Sequence, residues 1–245
     1  MPVTKKEMIS QLQKDILLWQ GFKAPPEGIK SVVGLGPVES AFPNAVFPVG
    51  AIHEFLNFAP EHAAASNGFI SGLLKVLMNK GGICLWISVS RKLFPPALKL
   101  FGVSPERVIF IDLKRERDVL WVMEEALKCA GLAAVVAEVR EIGFSESRRL
   151  QLVVERSRVT GFILRNDPLK LSNTACVARW KITPLPSKLA DGMPGIGFPK
   201  WRVELLKVRN GNPGSWQVEW VAGRFTSVTE NIPEAVLPDQ RRKAG

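Results

Sequence analysis

Apolar residues near the start of the chain recur at helical spacing. Met8, Ile9, Leu12, Ile16, Leu17 and Trp19 line one side of residues 5–22, which predicts an amphipathic N-terminal helix. Residues 23–50 are rich in Pro and Gly and read as an irregular connection, punctuated by Leu35-Gly36-Pro37 and Phe47-Pro48-Val49-Gly50. From residue 51 the pattern becomes an alternation. Short apolar runs at 51–58, 82–89, 108–111, 132–137 and 160–164 predict strands, and helical periodicity at 68–78, 97–101, 118–130 and 145–158 predicts helices. The run at 82–89 is continuously apolar, as expected of a strand covered on both faces. This order predicts an α/β domain with a mostly parallel central sheet flanked by helices.

The last third differs. Residues 175–183, 201–209 and 215–221 read as strands with no helix between them, and Asn210-Gly211-Asn212-Pro213-Gly214 supplies turn chemistry joining the second to the third. A C-terminal antiparallel extension of the sheet follows. Residues 185–199 read as an exposed loop and 226–245, ending in Arg241-Arg242-Lys243, as a loose tail.

With 245 residues, 46% of them hydrophobic, the chain suits one core domain at 23–225 between an N-terminal helix (1–22) and a tail (226–245). Cys84, Cys129 and Cys176 each sit in an apolar run and pair with neither His53 nor His62, so buried thiols in a reducing compartment are expected and no metal site is. No apolar stretch reaches membrane-spanning length and residues 1–14 lack a secretory core, which predicts a cytoplasmic protein. The net charge of +10 favours a polyanion or an acidic partner without choosing between them.

The first strand–loop–helix unit is where an α/β domain of this type would hold phosphate, with the pattern Gly, four residues, Gly-Lys, then Ser or Thr. That chemistry needs converging backbone N–H groups, an ammonium on the phosphates and a hydroxyl on magnesium. Here the window reads Ala63-Ala64-Ala65-Ser66-Asn67-Gly68-Phe69-Ile70. Ala63 takes the place of the first glycine, Gly68 survives, and Phe69 and Ile70 replace the cation and the metal ligand. Phe69 and Ile70 read as helix core, and no cofactor is expected.

The segments 35–43 and 48–54, which lead into the first strand, resemble RecA-like proteins. The stretches FPPALKLFGV, ERVIFIDL, LWVMEEALKC, SRRLQLVVERSRVTGFILR and ELLKVRNG are more similar to the ImuA family, RecA-like proteins with degenerate ATPase motifs. This resemblance covers about residues 9–225 and implies a RecA-like P-loop fold without its chemistry. The catalytic carboxylate falls on Ser90, and the metal-orienting aspartate on Glu138, a longer acid read as solvated. Lys207 and Arg209 match a basic strand that reaches a neighbour's nucleotide in RecA filaments.

The family implies a non-catalytic adaptor, not an enzyme, in SOS-induced error-prone translesion synthesis and DNA repair. Its implied partners are an ImuB-like inactive Y-family polymerase and an error-prone polymerase subunit, with RecA and single-stranded DNA as further candidates and a nucleoid-associated location. Arg148, Arg149, Arg156, Arg158, Arg165, Lys207 and Arg209 are the candidate DNA or partner contacts; the same residues also read as a solvated surface. Arg179, Lys181, Lys188 and Lys200 add charge nearby. Trp180, Trp201, Trp216 and Trp220 could stack on bases or pack in the sheet. Two other readings stand beside the adaptor: an atypical ATPase using Lys75 or Lys92, and a cell-division inhibitor resembling SulA. Lys75 lies about two helical turns beyond Gly68, too far to serve a phosphate at the helix start.

Overall fold

In a computed structural model of the chain, which describes residues 33–79, 81–90, 92–187 and 197–228 together with Met8 and Leu12, one nine-stranded sheet organises the fold. Its strands are β1 (Ile52–Asn57), β2 (Ile83–Ser88), β3 (Val108–Asp112), β4 (Leu132–Val139), β5 (Thr160–Asn166), β6 (Ala178–Leu185), β7 (Lys200–Val208), β8 (Gly214–Val221) and β9 (Arg224–Ser227). Their spatial order is β3-β2-β4-β5-β1-β6-β7-β8-β9. The first six are mutually parallel and pairing turns antiparallel from β6 to β9.

The antiparallel extension expected from 175–183 onward is present: β6 pairs antiparallel with β7, and it also joins the parallel core by pairing with β1. The tail expected from residue 226 is corrected at its start: Thr226 and Ser227 belong to β9, which hydrogen-bonds along β8. The helix expected at 5–22 lies outside the described residues apart from Met8 and Leu12, both helical and more than half exposed. The tip of the 185–199 loop and residues 229–245 lie outside them too.

Three α-helices cover the sheet: α1 (Pro60–Leu77) on one face, α2 (Val119–Leu127) and α3 (Phe144–Ser157) on the other, each side with its own apolar core. Helix α1 starts eight residues earlier than the periodicity predicted. Pro60 sets the first-turn φ, Glu61 complements the helix dipole, and Ala63-Ala64-Ala65 have the highest helix propensity of any residue type. Apolar periodicity alone missed these two turns because alanine marks no face.

The α1 side is aromatic. Trp180, Trp201 and Trp220 are buried, which rules out base stacking by those three rings, and Trp216 is half-buried against the same cluster. Phe55 and Trp180 stack with centroids 5.7 Å apart, and Phe69 sits edge-on to Trp201 at 5.9 Å. Gly68 and Gly72 form a notch along α1 that receives these rings. A Cβ at Gly68 would lie 3.0 Å from Phe101, and one at Gly72 would lie 2.6 Å from Phe225 and 2.9 Å from Trp220. The turn after β7 is pinned to the N-terminal segment, where Asn212 N–H donates to the Ala41 carbonyl at 2.9 Å.

His53 is fully buried in β1, stacked on Phe47 at 4.5 Å. Its Nδ1 accepts from Trp180 Nε1 at 3.3 Å, so Nε2 carries the proton and donates to the Pro48 carbonyl at 2.7 Å. Burial pushes its pKa down to about 4, partly offset by the Pro48 bond. Cys84 and Cys176 are buried as expected, and burial pushes the Cys176 thiol up to about 12. Cys129 departs from expectation: it follows the end of α2 and is exposed.

Two outcomes follow from this core. Gly72→Val should lower stability by about 2–3 kcal/mol in urea unfolding, because overpacking displaces two rings. Gly131→Ala, where a Cβ meets nothing within 4 Å, should leave it unchanged. As pH falls from 6.5 to about 4, the unfolded chain takes up a proton at position 53 that the folded chain refuses. That costs about 3 kcal/mol by the lower end of the window, and His53→Gln should remove this part of the slope when unfolding free energy is measured against pH.

Candidate functional site

The C-terminal ends of the parallel strands carry a run of polar residues facing α1. Trp86 Nε1 on β2 donates to Glu138 Oε1 on β4 at 2.8 Å. Asn166 Nδ2 on β5 donates to the other Glu138 oxygen at 3.4 Å, and Asn57 Nδ2 on β1 donates to Asn166 Oδ1 at 2.9 Å. Ser66 Oγ on α1 completes the chain to Asn57 Oδ1 at 2.7 Å. Because β2, β4, β5 and β1 are neighbours in that order, each bond crosses to the next element.

Glu138 is thus buried and bonded within the protein, not solvated as expected. Burial pushes its carboxyl above the ordinary value, offset in part by Trp86, by the nearby Lys92 and by Asn166. Ser90 lies exposed beyond the end of β2. Asn57, Ser66, Trp86 and Asn166 were missed in the sequence. For Asn57 and Asn166 the usable signal was a polar residue at the C-terminal end of a strand; Trp86, inside an apolar strand, and Ser66, on a helix, gave none.

Above this ladder, where a phosphate loop would stand, the chain passes from β1 to α1 through Phe58 and Ala59 alone. The whole window from Ala63 to Ile70 is helical, not a loop. Pro60 has no N–H, and those of His62 and Ala63 bond to the Ala59 carbonyl. Phe69 and Ile70 are fully buried, and Gly68 is kept by the rings beside it.

A cleft of about 970 Å³ remains beside α1, walled mainly by Ala63, Ala64, Phe94, Phe101, Pro199 and Trp201. Among the described residues Lys92 is the one cation lining it, against Glu61 and Asp167, the latter paired with Arg140. That balance leaves no net positive charge to neutralise a triphosphate. Lys75 points elsewhere: Nζ donates to the Gly223 carbonyl at 2.5 Å and lies over the Trp220 ring. Among the described residues no group of three His, Cys, Asp or Glu is placed to hold a metal, and no helix is long and apolar enough to cross a membrane.

The candidate contact residues fall into two sets. Arg148, Arg149, Arg156 and Arg158 are exposed on or just after α3. Arg165 is fully buried, a correction to its reading as a surface contact. It bonds Glu54 at 2.9 Å, Glu141 at 2.5 Å and the Lys170 carbonyl at 2.7 Å. The second Glu54 oxygen accepts from Arg179 Nε and Thr174 Oγ1, both at 2.8 Å. Lys207 turns inward to the Thr174 carbonyl at 2.7 Å, Lys200 is buried, and Lys181 pairs with Glu204. Arg209 is half-buried in the turn after β7, where its N–H donates to the Val177 carbonyl at 2.7 Å. Lys188 lies outside the described residues.

The crystal structure of the RadB recombinase superposes with a TM-score of 0.51 over 75% of this chain and 93% of that one, at 12% identity. Together with the strand order, this likeness defines a RecA-like α/β domain, here with helix in place of its phosphate loop. Protein ImuA of Caulobacter vibrioides strain NA1000 / CB15N is 34% identical over 191 residues, covering 73% of this chain and 78% of that protein. Protein ImuA of strain ATCC 19089 / CIP 103742 / CB 15 matches to the same extent, and no family profile matches. The chain belongs to the ImuA family.

Arg165→Ala should cost about 3–5 kcal/mol, because Glu54 stays buried with a lost partner. Arg148→Ala on the α3 surface should change stability by less than about 0.5 kcal/mol. Thermal and urea unfolding of both variants separates the two classes of arginine.

Proposed function

We propose that this chain is a non-catalytic RecA-like adaptor in SOS-induced, error-prone translesion DNA synthesis. It would hold an ImuB-like inactive Y-family polymerase and an error-prone polymerase subunit in one assembly, at the nucleoid in the cytoplasm. RecA and single-stranded DNA are the further candidate partners. The observation that carries this reading is the direct passage from β1 into α1 over a ladder of polar groups that bond one another. Groups already satisfied have little to offer a magnesium–nucleotide complex, and forming one would first break those bonds. Membership in the ImuA family supports the mutagenesis setting.

An atypical ATPase would need a lysine near the phosphates: the Lys75 ammonium is held at the β8–β9 turn, and Lys92, which does line the cleft, stands alone there among the described residues against Glu61 and acts on the buried Glu138. No comparable observation favours a division inhibitor.

Calorimetric titration with Mg-ATP should give no micromolar binding and no hydrolysis. In damaged cells, deleting the gene should abolish the induced rise in mutation frequency, and a Glu138→Gln copy should restore it as well as the parent. Micromolar Mg-ATP affinity would overturn the non-catalytic half of the reading, and unchanged mutagenesis on deletion the other half.

A further inference from the structure

The side of α3 facing away from the sheet does not look like a merely solvated helix. Arg148, Leu152 and Arg156 follow at intervals of four residues and form one outward stripe. Leu152, 45% exposed, sits at its centre, although Leu150 and Val154 already supply the buried side. On the neighbouring helix α2, Trp121 is 62% exposed. One turn further along α2, Glu124 bonds Arg149 at 2.9 Å, tying the two helices together at the surface. That pair uses the charge of Arg149. Arg148, Arg156 and Arg158 have no ion-pair partner among the described residues.

An apolar centre flanked by unpaired cations is the layout of a protein interface, with a dry middle and a charged rim. The cations on and after this helix are arginines, whose planar fork matches a carboxylate and sheds water more readily than an ammonium. Tryptophan and arginine are also the side chains that most often dominate binding energy when covered. We propose that the α2–α3 surface docks an acidic amphipathic segment of a partner protein. Its apolar side would rest on Leu152 and Trp121, and its carboxylates would pair with Arg148 and Arg156. A nucleic acid fits less well. Phosphates need no leucine between the cations, and Glu124, Glu125 and Glu155 place carboxylates on or beside the same surface. The inference goes beyond the adaptor reading and does not depend on it.

The test is selection of a random peptide library displayed on phage against the full chain, with binding of the enriched peptides measured by fluorescence anisotropy. Peptides combining acidic residues with apolar residues at helical spacing are expected. They should bind at least tenfold more weakly to Arg148→Glu/Arg156→Glu and to Leu152→Ser, and more weakly in high salt. All these positions are exposed, so melting temperatures should stay at the parent value. Enrichment of basic peptides, no enrichment, or equal binding to the variants would overturn the proposal. A labelled oligo-dT strand serves as the second probe. If it binds the parent, loses affinity in the double arginine variant and ignores Leu152→Ser while no peptide is enriched, the surface is a nucleic-acid patch instead.

Discussion

Glu54 is the constraint on which the architecture turns. A carboxylate on the central strand of a sheet, with no exposure to water, is tolerable only if its lone pairs are met. They are met by Arg165 on β5, Arg179 on β6 and Thr174 in the connection between those strands. The cluster therefore clamps β5, β1 and β6 and fixes a helix-free crossover. The loop is drawn in further by Arg165 on the Lys170 carbonyl, Arg179 on the Ser172 carbonyl and Lys207 on the Thr174 carbonyl. This lets the parallel core continue into the antiparallel strands without a break.

On the opposite face β1 and β5 join β4 and β2 in the ladder from Ser66 to Trp86, and the two arrangements share a logic. Polar side chains that an enzyme would aim at a substrate are here aimed at one another. The site is closed by hydrogen bonding from below and by helix from above. The space left between is bounded mostly by apolar side chains.

How much was legible in the sequence depends on which signal carried each part. Continuous apolar strands with helices between them announced the sheet, and the turn at Asn210-Gly211 announced the β7–β8 hairpin, because both depend on local pattern. The start of α1 was not legible, since Ala63 to Ala65 have propensity but no periodicity. The loss of a lysine at Phe69 was plain; the helix replacing the loop was not. Among the basic residues, charge said nothing about direction. Arg165 and Arg148 look alike in one dimension, yet Arg165 points into a carboxylate on an adjacent strand and Arg148 into solvent. The ladder went unseen because its members are far apart in the chain and only parallel pairing aligns them.

Phe69 shows how deeply the departure from the phosphate-loop pattern is built into the core. Its ring lies among Phe55, Trp180, Trp201 and Phe225 with no exposure, and the helix notch beside it is shaped to those same rings. Putting an ammonium back at this position would bury a charge in an aromatic core before it met any phosphate. A phosphate loop at this position would demand a new loop, a repacked core and a dismantled ladder together. The position is thus locked by its neighbours: the core that excludes water from the Phe69 ring also excludes any cation from its place.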